Sequence, residues 1–125
     1  TTAFAVADTA IAGRYGEALI TLRHALASGA DPVPLVAAIA SKLRTMARVA
    51  GLRESSAAIA ARIGVKDWQV DRARRDLTGW NEESLGRAIQ AAARADAEVK
   101  GASRDPIFAL ERLVTVVATR SEFGS

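Results

Sequence analysis

Alanine fills 28 of the 125 positions, and nine glycines and three prolines divide the chain into runs of helical length. Alanine has the highest helix propensity, while glycine and proline punctuate helices. That pattern leaves little room for a sheet. Aromatic residues make up only 5% of the chain and β-branched runs are short, so the sequence reads as all-α. With 125 residues it is long enough to bury a core as one domain, expected over residues 1–121. Glu122-Phe123-Gly124-Ser125 resembles a cloning-site remnant and is set aside.

Six to seven helices follow from periodicity and punctuation. Phe4, Ala7 and Ile11 share one face of a first helix, which Gly13 ends. A second runs from about Arg14 to Ser28 with Tyr15, Leu19, Leu22 and Leu26 as its stripe. Asp31-Pro32 pairs an N-cap with a proline at the first helical position, and Leu35, Ile39, Leu43 and Met46 follow as a buried stripe. Ser55 or Ser56 caps a short fourth helix carrying Ile59 and Ile63, and a fifth runs from about Asp67 to Leu77. Asn81 with Glu82 and Glu83 opens a sixth helix, read as the longest, to about Lys100. Asp105-Pro106 repeats the earlier start signal before Ile107, Leu110, Leu113, Val114 and Val117. Phe108 and Val116 lie off that stripe, which marks the last helix as central or as packed on a partner.

Chemistry-bearing residues are sparse. There is no cysteine, which excludes disulfides and thiolate metal sites, and the lone histidine, His24, has no second ligand or nucleophile beside it. No glycine-rich phosphate loop is present. The sequence therefore predicts a non-catalytic domain with no cofactor and no metal. No apolar run approaches the roughly 20 residues that cross a bilayer. There is no signal-peptide pattern either, and a cytoplasmic location is expected. The net charge is +3, and 14 of the 17 basic residues are arginine.

Three constellations remain. Residues 57–75 have helix-turn-helix spacing: small Ala60, Gly64 at the turn and Val70 on the second helix. A recognition helix there would offer Lys66, Gln69, Arg72 and Arg75 to DNA, although Asp67, Asp71 and Asp76 offset that charge and Trp68 is bulky for such a position. Asp96 falls on the Leu85–Ile89–Ala92 stripe, four residues before Lys100, and an ion pair is expected that supports the domain. Arg44 and Arg48 sit one turn apart beside the third helix's stripe. With Phe108 and Val116 they are candidates for a subunit interface.

The order of motifs resembles a known family. Phe4-Ala5-Val6-Ala7-Asp8-Thr9-Ala10 with Gly13 opens it, followed by Glu17-Ala18-Leu19 and Leu22. Then come Gly29, Pro34-Leu35-Val36, Lys42-Leu43-Arg44, Ala60, Gly64-Val65 and Trp68. Asp96-Ala97-Glu98-Val99-Lys100-Gly101, Asp105-Pro106 and Ala109-Leu110-Glu111-Arg112-Leu113 close it. Over residues 3–117 this resembles the C-terminal domain of the bacterial DNA polymerase III delta subunit. Ser41-Lys42 and Thr9 depart from the usual pattern. The resemblance implies a helical collar domain of the clamp loader, the assembly that places the sliding clamp on primed DNA. It also implies partners of the delta-prime and gamma/tau type. Contact with the sliding clamp would run through AAA+-like modules upstream of this chain, and contact with DNA would be indirect.

Overall fold

A computed structural model describes residues 2–102 and 105–120. Seven α-helices and one π-helical turn account for most of them, and no strand occurs among the described residues. The helices are α1 (Thr2–Ile11), α2 (Tyr15–Ala27), α3 (Pro32–Val49), α4 (Ser56–Ile63), α5 (Asp67–Asp76), α6 (Glu82–Ala97) and α7 (Pro106–Thr119). The expected tail at 122–125 lies outside the described residues, as do Ser103 and Arg104 of the predicted loop.

The start signals operate through side-chain caps. Asp31 Oδ1 accepts from the Val33 amide at 3.0 Å, and Asp105 Oδ1 accepts from the Phe108 amide at 2.9 Å. Asn81 and Ser84 cap each other's amides at 2.7 and 3.0 Å. Of the two serines expected to cap α4, Ser55 does so, at 3.2 Å from the Ala58 amide. Gly64 ends α4 at φ 78°, a left-handed conformation that L side chains resist. Gly13, at φ 82°, has a second reason: a Cβ there would sit 3.0 Å from Arg120 Nη1.

All seven helices feed one core. α3 crosses its centre, burying Leu35, Val36, Ile39, Leu43, Met46 and Val49, and packs on α1, α5, α6 and α7. α7 buries seven residues and packs on α1, α2, α3 and α6. Alanines of α6 and α1 let these helices approach their neighbours closely, with Ala88, Ala92, Ala95, Ala7 and Ala10 all buried. No described helix is long and apolar enough to cross a membrane.

Several stripe assignments change. α1 buries Val6, Ala7, Ala10 and Ile11, so Phe4 is turned aside and is 56% exposed. Tyr15 and Ile107 are exposed as well, because each lies in the first turn of its helix at the edge of the packed region. α6 is not the longest helix: it ends at Ala97 with 16 residues, against 18 in α3. Past Ala97 the chain takes the π-helical turn Glu98–Ala102, broken at Gly101, whose φ is 124°. Val116 is only 2% exposed, since neighbouring helices cover α7 at this position, while Phe108, the other residue off the main stripe, stays 56% exposed. It is therefore not a free apolar surface, and the interface role expected for it falls.

Candidate functional site

The most organised polar site joins three helices. Asp8 rises from α1, Lys42 from α3, and Arg72 and Asp76 from α5. Lys42 Nζ lies 2.5 Å from Asp8 Oδ1 and 3.2 Å from Asp76 Oδ2. Arg72 completes the ring, with Nη2 at 3.1 Å from Asp8 Oδ2 and Nε at 3.2 Å from Asp76 Oδ1. Two cations and two anions alternate, so the cluster is electrically balanced. Lys42 and Asp76 are 16% and 14% exposed, a burial that pairing makes tolerable. The hydrogen bond to Asp76, with the nearby charge of Asp8, holds the Arg72 guanidinium above its ordinary pKa even though burial works against it.

The ring forms part of a groove of about 300 Å³ between α1, α3 and α5. Phe4 and Trp68 stand among its lining, and Trp68 is 63% exposed. The sequence does not reveal this site, because even the nearest pairings between helices, Asp8 with Lys42 and Lys42 with Asp76, span 34 positions. The available signal was local: Asp8 and Lys42 each interrupt an apolar stretch.

The α4–α5 corner has the expected spacing, with Ala60 and Val70 buried and Gly64 left-handed. The four residues expected to face DNA are not presented together. Arg72 is held in the ring, and Gln69 Oε1 accepts from the Lys66 amide at 2.9 Å. Lys66 and Arg75 are exposed. Arg74 turns inward, donating to the Leu52 carbonyl at 3.3 Å, the Ser56 hydroxyl at 3.2 Å and the Glu54 carbonyl. Much of the corner's positive charge thus serves to hold the corner together.

The interface candidates separate in the same way. Arg44 is exposed. Arg48, also exposed, donates to the Ile63 carbonyl at 3.1 Å and ties α3 to α4. Phe108 is 56% exposed, with the Arg112 guanidinium 5.6 Å from its ring centre. Arg112 in turn pairs with Glu98 of the π-helical turn. Lys100 Nζ lies 3.0 Å from Asp96 Oδ1, but the side chains are 57% and 41% exposed, so this is a surface pair and not a charge rescued from an apolar face.

A further knot went unread in the sequence. Arg120 donates to the Ile11 carbonyl at 2.6 Å and the Val117 carbonyl at 3.1 Å, and it lies 4.1 Å from the centre of the Trp80 ring. Trp80 Nε1 donates to the same Ile11 carbonyl at 3.1 Å. Burial pushes the Arg120 pKa down. Among the described residues no group of three or more His, Cys, Asp or Glu is placed to hold a metal ion.

Comparison with known proteins closes on the same fold. The sequence model of the family described as DNA polymerase III delta subunit, C-terminal domain, matches residues 1–117. No curated protein matches the chain. A solved structure, the Bacillus subtilis DNA clamp loader delta protein (YqeN), superposes with a TM-score of 0.82 at 21% identity. The superposition covers 94% of this chain and 35% of that one, so the chain spans about a third of that protein's length.

Proposed function

The chain belongs to the family formed by the C-terminal domain of the DNA polymerase III delta subunit, and from that premise we propose that it is the collar domain through which a clamp-loader delta subunit joins its neighbours. The reading makes it a non-catalytic, cytoplasmic assembly element. Its partners are the collar domains of delta-prime and gamma/tau-type subunits. The sliding clamp is engaged by regions upstream, and DNA only through the assembled loader.

One observation carries this reading beyond the family. Of the five described aromatic side chains, four are exposed: Phe4, Tyr15, Trp68 and Phe108. Only Trp80 is partly buried against the core. Aromatic residues are the usual anchors of protein interfaces, and a domain that fills its core with alanine, leucine and valine while leaving aromatics outside is suited to association. Arg44 adds an exposed guanidinium able to bind a partner carboxylate bidentately. Phe108 and Arg44 are the leading contact residues on this reading.

Co-expression with the collar regions of the partner subunits tests this, read by size exclusion and native mass spectrometry. A stoichiometric complex is expected. Phe108→Ala and Arg44→Glu, combined, should weaken it by about tenfold or more without altering the helical content of the domain. A complex that forms equally well with both substitutions removes these contacts. No complex at all, under conditions where full-length delta assembles, removes the self-sufficient collar.

A further inference from the structure

The α4–α5 pair is attached to the bundle differently from every other helix. Its fully buried residues are few and mostly small: Ile59 and Ala60 in α4, Val70 and Ala73 in α5. α4 packs chiefly on α5, and α5 chiefly on α4 and α3. Within the pair and its leading loop the polar bonds are dense. Ser56 bonds to Asp71, Arg74 holds Ser56 and the Leu52 and Glu54 carbonyls, and Arg62 pairs with Glu54 at 2.7 Å. Among the described residues the polar ties toward the rest of the bundle are Arg72 to Asp8 and Asp76 to Lys42, both in the four-charge ring, and the Arg48 bond to the Ile63 carbonyl.

We propose that α4 and α5 form a flap that opens as one unit, latched by the salt-sensitive ring of Asp8, Lys42, Arg72 and Asp76. Local opening is cheapest where apolar burial is least and where bonds within a unit outnumber bonds to its surroundings. The ring contributes attraction that the few buried side chains of the pair do not. Its Asp8 and Arg72 side chains are 37% and 40% exposed, so dissolved ions reach it. Apolar packing elsewhere in the bundle is not weakened by added sodium chloride. Salt therefore loosens the flap selectively and leaves the core helices closed. Because α5 carries Trp68, and α1 carries Phe4, opening draws the two aromatics apart and widens the groove between them.

Native-state amide hydrogen exchange on the 125-residue chain tests the flap directly. Between about 0.05 M and 1 M sodium chloride, amides within 59–63 and 70–76 should exchange about fivefold faster together, while those of α3, α6 and α7 hold steady. In Arg72→Gln and in Lys42→Met the flap amides should already exchange about tenfold faster at low salt, and their response to salt should shrink. Two results overturn the proposal. One is salt-independent exchange of α4 and α5 in the unsubstituted chain. The other is acceleration spread evenly over all seven helices, in the unsubstituted chain with salt or in either variant, which would make the ring a support of the whole fold.

Discussion

α7 and α5 are held in the same small domain by opposite means. α7 buries seven of its 14 residues and carries two charges, Glu111 and Arg112. α5 buries two of its 10 residues, Val70 and Ala73, and carries six charges. One is fixed by removing side chains from water, the other by carboxylate, guanidinium and carbonyl groups that meet across helices. The difference shows what an arginine-rich sequence does with its charge when its apolar side chains are small. Alanine packs helices closely but removes little apolar area from water, so peripheral helices need polar struts.

The contrast is sharpest where a single truncation separates the two modes. Leu113→Ala in α7 should cost about 2–5 kcal/mol in urea unfolding, because Leu113 is fully buried and the central packing cannot collapse around the gap. Arg74→Ala should cost about 1–3 kcal/mol, leaving the Leu52 and Glu54 carbonyls without their donor. If it costs nothing, α4 and α5 are not held by struts and the comparison breaks. Ser55→Ala removes the N-cap of α4 and should cost about 1 kcal/mol, felt first as faster exchange of the 58–60 amides. Lys100→Ala should change stability by less than about 0.5 kcal/mol, since both members of that pair are solvated. A larger loss would restore the supporting role that the sequence suggested for Asp96 and Lys100.

Helix order was legible because its signals are local. The Asp31-Pro32 and Asp105-Pro106 starts, the Asn81 cap and the turn at Gly64 each depend on residues a few positions apart. The Leu35–Ile39–Leu43–Met46 stripe is buried as read. What was not legible depends on distance along the chain. Phe4 fits an apolar stripe as well as Val6 does, and only the approach of α2 and α3 to α1 decides which of them is covered. Val116 looked like spare surface because nothing local reveals how many helices surround α7. Arg72 reads as a groove-facing cation because one of its two acceptors, Asp8, lies 64 positions away on another helix. The family resemblance rests in part on Asp8 as a motif residue, while Ser41-Lys42 departs from the usual pattern. The structure supplies a physical role for Asp8 and Lys42, as opposite charges 2.5 Å apart across two helices.

The bond from Arg120 to the Ile11 carbonyl joins residues 109 positions apart. Such a contact carries one of the greatest loop-closure costs in the domain, and it gains little until α1 and α7 are already side by side. It is therefore expected to form in the last stage of folding. Arg120→Ala should leave the refolding limb of a chevron plot unmoved and raise the unfolding rate by nearly the whole change in stability, a φ-value near zero. With that result, the knot around Trp80 sets how long the folded domain survives, not how quickly it forms.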